Sequence, residues 1–165
     1  MKIRTKIIGI VAVVVSISSL ANSKAVAHPS RTSIRDKIQA SDVSLETSTG
    51  LLSGTLLIPS GKSAPGPVVL IIAGSGMTDR DGNTQGSSTK ANPLKLLAEA
   101  LAERGIASLR YDKRSVGRSA AARLATNTFE TQVDDAAAWI AWLAKDPRFR
   151  GIGIIGHSEG ALIGT

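Results

Sequence analysis

The ten residues from Gly151 to Gly160 constrain the fold of this 165-residue chain more than any other stretch. A short run rich in isoleucine leads into Gly156-His-Ser-Glu-Gly160, and the residues that follow can begin a helix. Glycine at both ends lets a strand and a helix approach more closely than a Cβ would allow. The pattern predicts a strand that turns sharply into a helix, with Ser158 at the bend.

A serine at such a bend lies beside the backbone N–H groups that begin the helix, where negative charge is stabilised. Ser158 is therefore a candidate nucleophile. The alternative is a glycine-rich turn that contains a serine by chance. The strand and helix units that precede the motif favour the first interpretation, because strand, turn and helix are the context that the motif requires.

The N-terminus has the pattern of a bacterial export signal. Positive residues precede the apolar run 7–17, and Ala25-Val-Ala27 supplies small residues for cleavage after Ala27. The run is short for a membrane span. We expect a signal peptide over residues 1–27, a polar leader over 28–41, and a periplasmic or secreted protein that does not contact the membrane after cleavage.

Charge and cysteine content narrow the function classes. The formal charge is +7, but removal of the four cations of the signal peptide leaves +3, so the sequence does not indicate nucleic-acid binding. The chain contains no cysteine, so an exported form must be stabilised by a hydrophobic core without disulfides.

Strand and helix patterns alternate through the remainder. We predict strands at 43–49 and 51–59 around Gly50, a doubly buried strand at 68–73, and a strand at 106–111. One helix is predicted from Pro93, capped by Asn92 and ended by Gly105. A second is predicted from a capping box at Asn127 to a stop at Pro147. Together they indicate an α/β class with a doubly wound, mostly parallel sheet that is entered through an antiparallel hairpin.

The second helix is predicted to bury one apolar face and to place its tryptophans partly outside that face, as packing residues. The predicted face consists of Val133, Ala136, Ala137, Ile140 and Ala144.

Two further stretches resemble ligand-binding motifs, but neither has the full pattern of its motif. Gly74-Ser-Gly76 begins like a dinucleotide-binding loop, but Asp79 takes the place of the third glycine and no helix follows at once. The stretch 79–83 hints at calcium, but its spacing departs from that of a calcium loop. His28 and His157 are not spaced as metal ligands, so we expect no metal and no cofactor.

Three stretches together resemble the α/β-hydrolase superfamily, in its secreted esterase and serine-aminopeptidase-like branch. They are 73–83, 110–119 and 156–160, and they occur in the family's order. The resemblance implies that residues 42–165 are the N-terminal portion of an α/β-hydrolase domain. It also implies Ser158 as nucleophile and backbone N–H groups of Glu159 and of Ser75 or Gly76 as the oxyanion hole. A plain glycine-rich turn at 74–76 remains the alternative.

Two positions depart from the family's pattern. Relatives usually have glycine where this chain has Ser115, and they tend to have glycine at Ala161. Ser115 is expected to strain a turn that favours positive φ.

In this family the acid and the histidine base follow the nucleophile in the chain. Only Glu159 to Thr165 follow Ser158, and they include no aspartate and no histidine. We expect a serine hydrolase acting on small-molecule esters, or on amides or thioesters, present as a fragment that is inactive alone. The alternative is a non-catalytic or binding protein derived from such a hydrolase. A downstream reading frame encoding a late histidine would distinguish them.

Overall fold

A five-stranded sheet forms the centre of the protein, in a computed structural model that describes residues 38–61, 65–122 and 128–165. The strands are β1 (Ile38–Thr47), β2 (Gly50–Pro59), β3 (Gly66–Ile72), β4 (Ala107–Tyr111) and β5 (Phe149–Gly156). The helices are α1 (Pro93–Glu103), α2 (Phe129–Ala144) and α3 (Glu159–Ile163), with a 3₁₀ turn at Gly117–Ser119. The predicted signal peptide and residues 28–37 of the predicted leader lie outside the described residues.

The strand order is β1-β2-β4-β3-β5. β1 pairs with β2, and β2 with β4, in antiparallel orientation, whereas β3 is parallel to both β4 and β5. The predicted α/β class and the entry through a hairpin are confirmed, and the parallel part consists of β4, β3 and β5. Within the described ranges, β5 has a neighbour on one side only.

β3 is buried on both faces, as its unbroken apolar run predicted. Val68, Leu70 and Ile72 belong to a core that includes Trp139 of α2 and Ile163 of α3. Ile71 and Ala73 belong to a second core, shared with Leu94, Ala98 and Ala102 of α1. Each buried Leu or Ile side chain stabilises the fold by about 1.5–3 kcal/mol. The helices therefore lie on both faces of the sheet, which makes it doubly wound.

The first strand differs from its prediction at both ends. It begins at Ile38, so residues 38–41, assigned to the leader, belong to β1, and it ends at Thr47 before a two-residue turn. Because ten consecutive pairs run from Ile38↔Pro59 to Thr47↔Gly50, the length of β2 sets the length of β1. Gly50 lies within β2 rather than in the turn, and a Cβ there would lie 2.7 Å from Cα of Ala122.

The buried face of α2 also differs from its prediction. It consists of Gln132, Asp135, Ala136, Trp139 and Leu143. Trp139 is fully buried between Tyr111 and Trp142, with ring centroids 5.9 and 5.7 Å away. The prediction considered only apolar residues, and it therefore left out Asp135, which is buried in an ion pair with Arg114. Helical periodicity does not reveal such a partner.

Helix ends are only partly as predicted. α1 begins at Pro93 and is followed by Gly105 at φ +78°, as expected, but the Asn92 side chain makes no capping bond. It accepts a hydrogen bond from the Asn83 amide instead (2.9 Å). α2 is capped by Thr128 and Thr131, and the predicted cap Asn127 lies outside the described residues. Within the described ranges, no helix combines the length and the apolarity needed to cross a membrane.

Two glycines allow α3 to pack directly on the sheet. A Cβ on Gly156 would lie 2.2 Å from the carbonyl oxygen of Gly160. A Cβ on Gly160 would lie 2.4 Å from the carbonyl oxygen of Ile72 in β3. Both obstacles are backbone atoms, which cannot turn away as a side chain can. The start of α3 can therefore pack against the end of β3 only because Gly156 and Gly160 have no Cβ.

We expect Gly160→Ala to lower the free energy of unfolding of the full chain by about 3 kcal/mol or more, because backbone must move. Helix propensity alone predicts the opposite sign, since alanine exceeds glycine by about 1 kcal/mol in a helix. Urea unfolding followed by circular dichroism measures the difference.

Gly153→Ala is the matched control for that variant. A Cβ there would meet only Cγ2 of Val69 at 3.7 Å, which is ordinary contact. Its free energy of unfolding should stay within about 0.5 kcal/mol of the parent value. Equal destabilisation by both variants would contradict the close-approach argument.

Ser115 adopts the left-handed backbone that its position in the turn after β4 requires, with φ +62°. Its hydroxyl donates to the carbonyl oxygen of Ala122 (3.1 Å), and its N–H donates to the carbonyl oxygen of Ser119 (3.2 Å). The side-chain bond offsets part of the strain, because left-handed backbone costs a non-glycine residue roughly 1–2 kcal/mol.

This balance predicts different effects for two small substitutions. Ser115→Ala loses the bond and keeps the strain, whereas Ser115→Gly loses both. We expect the glycine variant to be the more stable of the two by about 1 kcal/mol. Thermal unfolding of both variants tests this order, and an alanine variant as stable as the glycine variant would contradict it.

Candidate functional site

Ser158 lies at the bend between β5 and α3, exposed to solvent. Its backbone has φ +54° and ψ −120°, a conformation that costs a non-glycine residue about 1–3 kcal/mol. The bend is fixed on one side by the N–H of His157, which donates to the carbonyl oxygen of Ile72 (3.0 Å). It is fixed on the other by the N–H of Gly160, which donates to the carbonyl oxygen of His157 (2.9 Å). The sequence motif thus forms the predicted strand, turn and helix.

The loop after β3 lies against this bend. Gly74 is buried, and a Cβ on it would lie 2.8 Å from Nδ1 of His157. Ser75, Gly76 and Met77 are exposed, and the Ser75 carbonyl accepts a bond from the Thr78 hydroxyl (2.9 Å). Gly76 has φ +72°, which only glycine adopts without cost.

The three predicted oxyanion donors have no partner within the described part of the chain. The backbone N–H groups of Ser75, Gly76 and Glu159 donate to none of its acceptors. They come from two separate elements, the loop after β3 and the start of α3, that meet through Gly74 and His157.

The stretch 79–83 is a closed loop that uses its own carboxylate. Asp79 accepts bonds from the N–H groups of Asp81 (3.0 Å) and Asn83 (2.8 Å) and from the Asn83 amide. Asp81 is paired with Arg110. Across the described residues no cluster of acidic or histidine side chains could hold a metal ion.

Asp112, directly after β4, joins the two loops that surround the site. Its carboxylate is 3% exposed and accepts from the N–H of Arg80 (2.7 Å), from Nη2 of Arg80 (2.7 Å) and from the N–H of Arg118 (2.9 Å). Three donors, one of them cationic, compensate the burial of a carboxylate. The loop after β3 is thereby tied to the loop after β4.

Lys113 reaches from the loop after β4 into the centre of the site. Its side chain is 4% exposed, and its Nζ donates to the carbonyl oxygen of Gly74 and lies 3.5 Å from Oε2 of Glu159. Burial lowers the pKa of Lys113, and the Glu159 carboxylate opposes that shift.

The sequence analysis assigned no role to Asp112, Lys113 or Arg80. Their partners lie tens of residues away, so no local spacing links them. The available signal was charge: Asp112, Lys113 and Arg114 follow directly on a buried strand.

An open cleft of about 360 Å³ lies beside the loop after β3. Its lining includes Met77, Asn83, Lys90, Ser115 and Val116. A second hollow of about 230 Å³ lies at the opposite edge, where Gly66 and Phe149 begin their strands. Sites in parallel sheets lie beyond the carboxyl ends of the strands, which is the side of the first cleft, but the lining of that cleft does not include Ser158.

The chain is similar to known hydrolases in sequence and in fold. Residues 85–165 match the family model of serine aminopeptidase, S33. No curated protein matches the chain.

Solved structures of α/β hydrolases share the fold. The Pyrococcus furiosus esterase Pf2001 is 21% identical with a TM-score of 0.59, over 90% of this chain and 52% of that one. XC6422 from Xanthomonas campestris, an α/β serine hydrolase without a lid, is 24% identical with a TM-score of 0.57, over 76% and 53%. GrgF from Penicillium sp. sh18 is 23% identical with a TM-score of 0.58, over 76% and 39%.

This chain thus spans about half the length, or less, of the solved structures that it matches. Their shared fold, the sequence match over 85–165 and the strand order all agree. The chain therefore has the α/β-hydrolase fold, and its residues 85–165 are similar to the family of serine aminopeptidase, S33.

Proposed function

We propose that this chain carries the nucleophile and the oxyanion donors of a serine hydrolase that cleaves carboxylic esters. The observation that supports the proposal most is the strained, exposed Ser158 at the bend between β5 and α3, because the loop after β3 lies against that bend through Gly74 and His157. Enzymes of this kind stabilise developing negative charge with pre-positioned donors.

The proposed reaction proceeds in two steps. Ser158 Oγ attacks the carbonyl carbon of the ester while a general base accepts its proton. The oxyanion receives bonds from the N–H of Glu159 and from that of Ser75 or Gly76. The alkoxide leaves with the proton as an alcohol, and water then hydrolyses the acyl-serine ester to release the acid and restore Ser158.

We assign neither the general base nor the acid that would orient it to any described residue of this chain. Its histidines are His28, outside the described residues, and His157, whose ring lies against Gly74. A neutral serine hydroxyl is a weak nucleophile without a base. We therefore propose that the 165-residue chain alone does not turn over, which also keeps a non-catalytic binding role as the second candidate.

The substrate class is proposed from the neighbours and the cleft. Several of the similar solved structures are esterases by name, so a small-molecule ester is the first candidate and an amide or thioester the second. The lining of the cleft is polar around Met77 and Val116, which suits a small substrate with polar groups.

Labelling with a fluorophosphonate probe tests the nucleophile and the need for a base. We expect no adduct on the chain by itself, and an adduct on Ser158 when imidazole is added as an external base. Peptide mass spectrometry locates the adduct, which should disappear in Ser158→Ala.

Ser87, an exposed serine in the loop after β3, is the internal reference. Imidazole-dependent labelling of Ser87 at the same rate as Ser158, or of neither, would contradict an activated elbow serine. Stoichiometric labelling of Ser158 without imidazole would show instead that the chain contains a base.

We also propose export, with cleavage after Ala27, from the order of positive, apolar and small residues at the N-terminus. N-terminal sequencing of protein from the periplasm or medium should begin at His28-Pro29. An intact Met1 in a membrane fraction would contradict this.

A further inference from the structure

Lys113 is a buried cation that contacts both parts of the proposed oxyanion hole. Its Nζ donates to the carbonyl oxygen of Gly74, at the start of the loop after β3. The same Nζ lies 3.5 Å from the carboxylate of Glu159, the first residue of α3. Among the described residues no other lysine contacts Gly74 or Glu159; Lys95 on α1 and Lys145 directly after α2 are exposed.

The burial of Lys113 requires these partners. An ammonium loses its hydration when only 4% of its side chain is exposed, and this cost is met only by a nearby negative charge or by strong acceptors. Gly74 and Glu159 supply one of each. The three groups therefore depend on one another for their positions.

The carbonyl of Gly74 and the N–H of Ser75 belong to one planar peptide unit. A cation bound at the oxygen fixes the orientation of that unit. It also draws electrons toward the oxygen, which makes the N–H at the other end a stronger donor. A contact at Gly74 thus acts on Ser75, one of the proposed oxyanion donors.

We propose that Lys113 is the positioning residue of the oxyanion hole: it orients and polarises the Gly74–Ser75 peptide and holds it to α3 through Glu159. The proposal rests on the proposed function for its meaning. Its contacts, however, are testable without any catalysis.

Hydrogen–deuterium exchange of the full chain and of Lys113→Met tests whether Lys113 holds the Gly74–Ser75 peptide to α3. We expect exchange of the amides of His157 and Gly160, which are hydrogen-bonded at the bend, to accelerate at least about tenfold, because a bond from a charged donor contributes that order to a local opening equilibrium. Exchange in β1 and β2 should not change. Lys95→Met, which removes an exposed lysine of α1, is the matched control. It should leave exchange unchanged both at His157 and Gly160 and in β1 and β2.

The amide resonance of Ser75 provides a spectroscopic signature. Loss of the cation from Gly74 should move the Ser75 proton upfield, whereas simple loss of packing would not single out this one amide. Glu159→Gln is the second variant, since it removes only a charge from a side chain that is 32% exposed. It should accelerate exchange of the His157 and Gly160 amides by a smaller factor.

The outcomes are separable. An unchanged Ser75 resonance in Lys113→Met, or unchanged exchange of the His157 and Gly160 amides in Glu159→Gln, would overturn the proposal. If Lys113→Met does not fold, the Glu159→Gln result decides. Failure of Ser158 to react with the fluorophosphonate probe in the presence of imidazole, with these exchange effects present, would contradict the proposed function and leave the positioning role of Lys113 established.

Discussion

The arrangement of the site depends on the hydrogen bonds that the buried carboxylate of Asp112 accepts. It receives two bonds from Arg80 and one from the N–H of Arg118, so it joins the loop after β3 to the loop after β4. A Cβ on Gly117 would lie 2.5 Å from its Oδ2, so the glycine at φ +50° makes room for the carboxylate. Removing one partner of such a buried pair would leave an uncompensated charge, which is far costlier than losing a surface ion pair.

The elements that the sequence predicted well are those specified by neighbouring residues. β3 was identified because its apolar run is continuous, and the turn at Ser158 because glycines occur on both sides of it. β1 was predicted too short because its extent is set by pairing with β2, which local composition does not encode. The face of α2 was misplaced because Asp135 is buried by an ion pair with Arg114.

The candidate site shows the same division. Ser158 could be located by motif, whereas Lys113 and Asp112 become interpretable only when the strand order brings β3, β4 and β5 side by side. The loops that follow neighbouring parallel strands lie at the same edge of the sheet, so residues far apart in the sequence come within a few ångströms of one another there. Charge placed directly after a buried strand was the only trace of this in the sequence.

The strand order β1-β2-β4-β3-β5 also has a consequence for how the chain folds. Both neighbours of β3, the strands β4 and β5, come after it in the sequence. β3 is the most apolar strand, yet its backbone groups can form their hydrogen bonds only after distant segments of the chain have reached it. Pairing of this non-local kind is slow, because the intervening chain has to close large loops first. The hairpin of β1 and β2 can form early, whereas the sheet closes around β3 only when β5 arrives. The strand that positions Ser158 is thus also the last partner that β3 acquires.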